Sequence, residues 1–263
     1  MSIAAFDAGP PVTLPAVTAA QMAEVDRIMV QDLGIALIQM MENGGRHLAD
    51  LTIARWQPER VVVLSGPGGN GGGGLVAARH LANRGSDVEV VLSDVGRLAA
   101  VPAHQRTVLD AMGVPVHDMT GVPMHDMTGV PMHDTQQLSV PLPELLADAV
   151  VIDALLGYSL DGDPREPAAG LIRAVEAVDV PVVALDLPSG LEATSGRVGD
   201  PCITADATLT LALPKTGMVA GAAQVGELYV ADISVPPSAY EALGITITSP
   251  FRDVGIRRVE ITA

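Results

Sequence analysis

The chain has 263 residues, of which 48% are hydrophobic and only 2% aromatic, so aliphatic side chains must build its core. A chain of this length buries enough apolar surface to fold as one α/β domain. The formal net charge of −16 argues against nucleic acid and anionic membranes as partners. The single cysteine excludes an internal disulfide, and neither a signal peptide nor an apolar stretch of about 18 residues is present. We expect a cytoplasmic protein.

The first predicted elements are helices. Residues 1–16 are rich in proline, alanine and glycine and lack an apolar period, which predicts a flexible arm before a single domain over residues 17–263. Thr18 and Gln21 have the spacing of a capping box, so a helix is expected to begin there. Apolar residues at helical intervals predict a second helix over residues 38–51.

The next elements alternate between strand and helix. A β-branched run over residues 61–64 ends at a glycine cluster, and residues 75–83 then read as a helix. Further strands are predicted over residues 88–92, 150–152, 180–185, 207–213 and 227–233. Strand and helix alternation is typical of parallel sheets joined by right-handed crossovers. The sequence therefore predicts an α/β fold, a Rossmann-like three-layer α/β/α sandwich with a mostly parallel central sheet.

An octapeptide occurs nearly three times, at residues 113–120, 121–128 and 129–134. A period of eight with a proline in each unit suits neither a packed helix nor a solenoid of usual length. We predict a surface loop at about residues 113–134, expanded by tandem duplication. Its histidines, each beside an aspartate, leave transition-metal binding open as an alternative, but a solvated loop is the preferred interpretation. These histidines are His117, His125 and His133.

The glycine cluster, Ser65–Gly74, lies between a predicted strand and a predicted helix. Glycines there let backbone N–H groups approach an anion at a helix N-terminus, which favours a phosphate. Gly66, Gly68 and Gly71 fit the dinucleotide pattern G-x-G-x-x-G, and Asp94 stands where a ribose-binding acid is expected. A tight turn without a ligand is the alternative. A Walker-type loop is excluded because no Gly-Lys-Ser/Thr follows.

Two aspartates stand at predicted strand ends. Asp153 follows a Val-Val-Ile strand, and Asp186 follows Val-Val-Ala-Leu. In an open α/β sheet these ends share one crevice with the glycine turn, so Asn70, Asp153 and Asp186 are expected to approach one ligand. Oxygen donors without nitrogen or sulfur suit a hard cation rather than zinc. For each aspartate alone, a helix cap or a turn is the competing interpretation.

Several ordered motifs resemble those of the NAD(P)H-hydrate epimerases, the YjeF N-terminal domain family, over roughly residues 18–245. The motifs are Met41–Gly45, the glycine turn, Asp153–Gly157, Asp186–Gly190, Leu213–Gly217 and Val230–Ser234. The resemblance implies a Rossmann-like fold, a bound potassium ion and a homodimer. It also implies interconversion of the R and S forms of hydrated NADH and NADPH, a dinucleotide substrate, in nicotinamide nucleotide repair. A separate NAD(P)H-hydrate dehydratase is then the functional partner.

The resemblance also implies roles for individual residues. Asn70, Asp153 and Ser189 match the potassium-binding positions. Asp186 is the candidate for proton transfer, since a carboxylate in a closing crevice can serve as an acid or a base. The positions that match the substrate site are Gly69, Asn70, Gly71, Gly72, Gly73, Gly157, Tyr158, Ser159, Leu160, Asp161, Gly162, Asp163 and Asp186.

The chain departs from the family pattern in the glycine turn. The family turn reads Gly-Pro-Gly-Asn-Asn-Gly-Gly-Asp-Gly, whereas this chain has Gly69 for the first Asn and Gly73 for the Asp. Two polar contacts are lost, which predicts slower epimerisation. The alternatives are a divergent member that isomerises or hydrates another small molecule, and a non-catalytic nucleotide-binding scaffold. An NAD-dependent dehydrogenase that uses Asp94 is disfavoured because no Tyr-x-x-x-Lys is present.

Overall fold

The structure is a computed structural model that describes residues 8–120 and 141–260. Its central sheet has eight strands in the order β3-β2-β1-β4-β5-β6-β7-β8, all parallel except β8, which runs antiparallel to β7. The strands are β1 Arg60–Ser65, β2 Asp87–Leu92, β3 Val116–Asp118, β4 Val150–Ala154, β5 Val182–Leu185, β6 Ala207–Leu211, β7 Glu227–Ala231 and β8 Ile256–Arg258. The predicted α/β class and the mostly parallel sheet are confirmed.

Helices connect the strands. They are α1 Ala19–Arg27, α2 Leu37–Trp56, α3 Gly69–Asn83, α4 Ala100–Met112, α5 Leu142–Leu146, α6 Ala168–Glu176, α7 Gly217–Ala220, α8 Ala222–Val225 and α9 Pro237–Glu241, with a π-helical turn at Ile28–Asp32 and a 3₁₀ turn at Val95–Arg97. The predicted capping box of Thr18 and Gln21 is present at the start of α1. Within residues 8–120 and 141–260, no helix combines the length and apolar character needed to cross a membrane.

Strand β1 shows why the domain has three layers. Val61 and Val63 pack in one apolar cluster with residues of α2, α3 and α4, whereas Val62 and Leu64 pack in a second cluster with residues of α5 and α6. Successive side chains of a strand point to opposite faces, so a strand with apolar residues throughout must be covered on both sides. The β-branched run in the sequence therefore places β1 at the centre of the sandwich.

The strand order reverses direction between β1 and β4. From β1 the sheet proceeds through β2 and β3 on one side, and through β4 to β8 on the other. The connections after β1 and β4 therefore leave on opposite faces and open a crevice at the carboxyl ends of these strands, the usual ligand position in open α/β sheets. The glycine turn follows β1, and Asp153 lies in β4. The topology thus positions the site.

Helix α3 begins earlier than the sequence pattern predicts. The helix was expected to begin at residue 75, after a glycine turn, but α3 begins at Gly69. The last six residues of the glycine cluster therefore form the first turns of a helix. Glycine is a weak helix former, so propensity alone pointed to a turn. Packing of α3 against α2 and the sheet overrides this weak local preference.

Part of the predicted N-terminal arm is held on the domain. The backbone N–H of Val12 donates to the carbonyl of Arg258 at 2.9 Å, and Val17 forms a bridge with Lys215 and is fully buried. Val12 thus pairs with the end of edge strand β8, and Val17 pairs with the segment after β6, both distant in sequence. A local composition pattern carries no information about such pairing.

The first copy of the octapeptide is a strand and its flanking turns, which corrects the loop prediction for residues 113–120. Val116–Asp118 form β3 on the edge of the sheet, and His117 Nε2 lies 2.8 Å from Glu89 Oε2 on β2. The side chain of Met119 is buried. The proline that precedes β3 lacks an N–H, which an edge position tolerates. The predicted loop over residues 121–134, including His125 and His133, lies outside the described residues.

Deleting residues 121–128 should leave cooperative folding intact and change the free energy of unfolding by less than about 1 kcal/mol. The reason is that β3 uses the first copy, and the entropy of loop closure changes slowly with length. Urea unfolding followed by circular dichroism measures the change. Deleting residues 113–128 is the control: it removes Met119 and brings Thr135 to its position in the repeat, so a larger loss of about 2–5 kcal/mol is expected. Loss of cooperative unfolding after the shorter deletion would contradict the prediction.

Candidate functional site

A crevice of about 800 Å³ lies at the carboxyl ends of the parallel strands. Its volume lies within the range usual for small-molecule and cofactor sites. Apolar residues from α1 and α2, such as Met22 and Met41, form one part of its wall. The start of α3 and the segment after β4 supply its polar part, including Asn70 and Tyr158. The crevice therefore offers an apolar surface for rings beside backbone and side-chain polar groups.

The glycine turn approaches its neighbours too closely for any side chain. A Cβ at Gly66 would lie 1.9 Å from the carbonyl oxygen of Leu155, and a Cβ at Gly71 would lie 1.8 Å from that of Gly66. The hydroxyl of Ser65 donates to the carbonyl of Gly71 at 3.0 Å and fixes the start of α3. This packing directs the first N–H groups of α3 toward the crevice side of the sheet. A helix N-terminus with free N–H groups favours an anion such as phosphate.

Asp186 follows β5 directly, and its carboxylate is paired with a buried lysine. Lys215, from the segment after β6, is fully buried and donates to Asp186 Oδ1. The same ammonium group donates to Thr210 Oγ1 at 3.0 Å and to the carbonyl of Leu211 at 2.9 Å. All three N–H bonds of the lysine are therefore used. Because each of its N–H groups has an acceptor, the buried lysine balances the negative charge of Asp186 and fixes the orientation of that carboxylate.

The second oxygen of Asp186 remains available to a ligand. A Cβ built on Gly157 would lie 3.5 Å from Asp186 Oδ2, and both residues line the crevice. No donor among the described residues bonds to Oδ2. Asp186 also has a φ of +68°, a left-handed conformation that is uncommon outside glycine and concentrates at functional sites. One oxygen is thus fixed by Lys215 while the other faces the crevice.

Asp153 lies behind the crevice rather than in its wall. It is fully buried in β4 and accepts hydrogen bonds from the backbone N–H of Ser189 at 2.7 Å and from the Ser189 hydroxyl at 2.6 Å. The backbone N–H of Leu155 also donates to it at 3.2 Å. Burial without a cationic partner raises the pKa of Asp153 to about 6, although the hydrogen bonds of Ser189 oppose this rise. A cation beside Asp153 would stabilise its ionised form.

Asn70 carries an unsatisfied oxygen beside this buried carboxylate system. Its Nδ2 donates to the carbonyl of Leu156 at 3.0 Å, and the N–H of Leu156 in turn donates to Ser189 Oγ at 2.9 Å. Asn70 Oδ1 is buried without a hydrogen-bond partner in the structure. A buried unpaired acceptor is costly, and a bound cation is one way to satisfy it. Asn70 Oδ1 is thus an oxygen donor of the type that hard cations prefer.

No group of three or more histidine, cysteine, aspartate or glutamate side chains suited to a metal ion occurs in the described part of the chain. A site of the kind used by zinc is therefore not formed there. A set of one carboxylate, one amide and one hydroxyl oxygen is instead typical of hard cations.

A second acidic group reaches the crevice from α1. The hydroxyl of Tyr158 donates to Asp26 Oδ2 at 2.5 Å, and both side chains line the crevice. Burial raises the pKa of Asp26, and the hydrogen bond from Tyr158 opposes the rise. The pKa of Tyr158 is raised well above its ordinary value by burial and by the neighbouring carboxylate of Asp26. The pair thus joins α1 to the segment that follows β4.

The structure brings most of the predicted site residues together. Those that line the crevice are Gly69, Asn70, Gly73, Gly157, Tyr158, Ser159, Leu160, Asp161, Asp163 and Asp186, together with Asp94. Two predicted cation ligands, Asp153 and Ser189, and three predicted substrate positions lie outside the lining. Gly71 packs against Gly66, a Cβ at Gly72 would meet Met41, and Gly162 forms a turn at a φ of +78° outside the lining. Glycines that face the sheet or α2 are needed for packing. A motif match does not distinguish these glycines from the ones that contact a ligand.

Sequence reasoning missed Asp26 and Lys215 as site residues. Lys215 belongs to the motif Leu213–Gly217, so the motif marked the position without indicating a role. Asp26 stands among residues that form the amphipathic face of α1, and only the packing of α1 over the crevice reveals it. Two arginines in the lining, Arg97 and Arg165, were likewise not predicted.

Comparisons with known proteins identify the family of the chain. Residues 37–217 match the family model described as "YjeF-related protein N-terminus". A protein of Dehalogenimonas lykanthroporepellens named NAD(P)H-hydrate epimerase is 39% identical over 246 residues, covering 92% of this chain and 89% of that protein. An NAD(P)H-hydrate epimerase of Limosilactobacillus fermentum is 32% identical over 84% of this chain and 97% of its own length.

Longer relatives and a solved structure extend the comparison. A bifunctional NAD(P)H-hydrate repair enzyme of Moorella thermoacetica is 37% identical over 84% of this chain, but the match covers only 40% of that enzyme. The crystal structure of the yeast protein ynu0 superimposes with a TM-score of 0.75 at 23% identity, covering 94% of this chain and 100% of that one. This structural likeness shows the fold. By its family match and its relatives, the chain belongs to the family of YjeF-related protein N-termini.

Proposed function

We propose that this protein is an NAD(P)H-hydrate epimerase, which interconverts the R and S forms of hydrated NADH and NADPH. The observation that carries the proposal is the Asp186 carboxylate, which is oriented by buried Lys215 and turns its second oxygen toward a crevice of about 800 Å³. Relatives that match nearly their whole length bear the name NAD(P)H-hydrate epimerase.

The chemistry requires a proton donor and a proton acceptor near the hydrated ring carbon. Loss of the hydroxyl group leaves a cation that the ring nitrogen stabilises, and return of water from the other face gives the epimer. Asp186 Oδ2 is suited to accept the proton of the incoming water, because Oδ1 is already held by Lys215. The ammonium group of Lys215 balances the charge of this carboxylate, and both side chains are almost fully buried.

The same crevice accounts for binding of a dinucleotide. The free N–H groups at the start of α3 favour a phosphate, and Arg97 and Arg165 add cationic groups to the lining. Asp94 follows β2 by two residues and lines the crevice, which supports a role as acceptor of a hydrogen bond from a ribose hydroxyl. We propose the segment over residues 157–163 as the cover of the substrate. Local cations are necessary here because the chain as a whole carries a formal charge of −16.

We also propose that Asn70, Asp153 and Ser189 hold a potassium ion. The unpaired Oδ1 of Asn70 and the buried carboxylate of Asp153 support this assignment. A bound ion would supply positive charge to the buried carboxylate of Asp153. Asn70 and Ser189 both contact Leu156, so they fix the backbone that leads into the substrate segment.

Replacing sodium by potassium at equal ionic strength should raise the melting temperature of the protein. An ion that binds only the folded state stabilises that state by mass action. The Asp153→Asn variant keeps the shape of the side chain and removes its charge, so its melting temperature should be the same in the two salts. Differential scanning fluorimetry in sodium, potassium and rubidium chloride tests the prediction. Equal melting of the parent protein in all three salts would contradict the cation site.

The functional partner that we propose is a separate NAD(P)H-hydrate dehydratase, which consumes one epimer. Some relatives, of whose length this chain covers about 40%, are named bifunctional repair enzymes, which supports a second activity linked to the first.

A homodimer and a cytoplasmic location stay predictions. Apolar side chains exposed around the junction of α1 and α2, including Val30 and Leu33 at 44% each, support a protein contact at this surface.

A coupled assay tests the proposed function. Purified R-hydrate of NADH is incubated with the protein and an S-specific dehydratase, and formation of NADH is followed by its absorbance. We expect conversion of the R form at a rate proportional to the amount of protein and well above spontaneous epimerisation. Spontaneous rates with both hydrated NADH and hydrated NADPH would overturn the proposal.

A further inference from the structure

We propose that Tyr158, held by Asp26, is a second proton-transfer group of the crevice. It delivers a proton to the departing hydroxyl group, while Asp186 receives a proton from the incoming water. This inference rests on the proposed epimerase function. It assigns Tyr158 the role of proton donor. Asp26 positions Tyr158 and returns a proton to it.

The geometry provides two distinct proton sites in one crevice. Tyr158 follows Gly157, where an added Cβ would lie 3.5 Å from Asp186 Oδ2, and the side chains of Tyr158 and Asp186 both line the crevice. Its hydroxyl is 2.5 Å from Asp26 Oδ2, and Asp26 comes from α1, an element that has no other polar group in the lining. Proton transfer to a leaving group requires a donor within hydrogen-bond distance of that group. Tyr158 and Asp186 can meet one bound ring from two separate elements.

The two carboxyl groups have opposite environments. Asp186 is bonded to the ammonium group of Lys215, which stabilises a negative charge. Asp26 is half-buried and accepts a hydrogen bond from a phenol. Burial raises its pKa and Asp186 raises it further, whereas Tyr158 and Lys215 lower it. Tyr158 retains its proton at neutral pH, because its own pKa is raised. Carboxyl groups whose environments differ in this way divide into an acid and a base.

The proton balance closes in both directions. In the R to S direction, the phenol protonates the ring hydroxyl, the C–O bond breaks, and the lone pair of the ring nitrogen forms a C=N bond as water leaves. In the form that acts as the acid, Asp26 carries an added proton, so the hydrogen bond between the two side chains reverses and Asp26 returns a proton to the Tyr158 oxygen. A water molecule then attacks the same carbon from the other face, the C=N pair returns to nitrogen, and the second proton of this water passes to Asp186. In the S to R direction, Asp186 is the acid and Tyr158 is the base. Proton exchange with solvent returns Asp26 and Asp186 to their starting protonation states between turnovers.

The chain contains a matched pair that serves as a control. The hydroxyl of Tyr229 donates to Glu227 Oε2 at 2.7 Å on strand β7, and neither residue lines the crevice. Both tyrosines thus donate a hydrogen bond to a carboxylate; Tyr229 is buried, and Tyr158 is half-buried in the wall of the crevice. Tyr158→Phe and Tyr229→Phe remove the same atom and the same kind of hydrogen bond. Only Tyr158→Phe removes a hydroxyl group from the crevice.

The test compares these variants in the coupled assay with the R-hydrate of NADH. We expect Tyr158→Phe and Asp26→Asn each to lower kcat at least about tenfold with KM within about twofold, and the double variant to be no slower than the slower single variant. Tyr229→Phe should match the parent protein. In the parent, kcat should fall as the pH rises through the pKa of Asp26, because the donor must be recharged. This fall in kcat with rising pH should be absent in the Asp26→Asn variant.

The outcomes separate this inference from the proposed function. An active parent with unchanged kcat in Tyr158→Phe and Asp26→Asn would overturn the inference and leave the epimerase assignment standing. An effect on KM alone would also overturn it and make the pair a binding feature. A parent without epimerase activity would overturn both. If Tyr158→Phe does not fold, Asp26→Asn and its pH profile decide the question.

Discussion

Lys215→Met should lower the free energy of unfolding by about 3–5 kcal/mol, the cost of leaving a buried charge without its partner. The lysine is fully buried and holds Asp186, whose side chain is only 5% exposed, so water cannot replace the missing ammonium group without entering the core. Thr210 and the carbonyl of Leu211 also lose a donor. Urea unfolding at neutral pH, compared with the parent protein, gives the difference directly.

A double variant distinguishes this explanation from simple loss of packing. Lys215→Met combined with Asp186→Leu removes both charges and keeps apolar volume, so it should recover most of the lost stability. It should nevertheless be inactive, because the proposed proton acceptor is gone. If the double variant is less stable than the single one, the loss arises from packing and hydrogen bonds rather than from an unpaired carboxylate.

Gly73→Asp should raise the rate of epimerisation by about 10²-fold, the lower end of what a well-placed proton-transfer group contributes. Gly73 lines the crevice at the start of α3, where the family turn carries an aspartate. Gly73 lies within α3 and is not among the glycines with a positive φ, so a side chain there causes no backbone strain. A Cβ would come within 2.7 Å of Leu185 Cδ2, the end of a flexible side chain. We expect a loss of about 1–3 kcal/mol in stability from this contact.

Two control variants isolate the carboxylate. Gly73→Ala introduces the same contact with Leu185 without the acid, and should lower stability without raising the rate. Gly69→Asn restores the other family residue at a position where a Cβ would have nothing within 4 Å, so it should fold as the parent does. If the parent is inactive and a well-folded Gly73→Asp variant also stays inactive, a divergent substrate or a nucleotide-binding scaffold becomes the better assignment.

Local sequence patterns determined the elements whose signals are short-range. The capping box at Thr18, the β-branched run of β1 and the aspartate at the end of β5 all appear where predicted. These signals depend on neighbouring residues or on a strand period of two, so they survive without knowledge of the fold. Alternation of such elements was sufficient to predict the parallel sheet and the placement of Asn70 and Asp186 at one crevice.

Tertiary packing decided the features that depend on residues distant in sequence. Asp26 reaches the crevice only because α1 packs over it, and Lys215 finds Asp186 only because β6 lies beside β5. The glycines of α3 are helical because the helix is buried against α2, and the first octapeptide copy is a strand because β2 offers an open edge. Each of these outcomes is set by contacts between separate elements, whose energies exceed the weak local preferences that a single sequence displays.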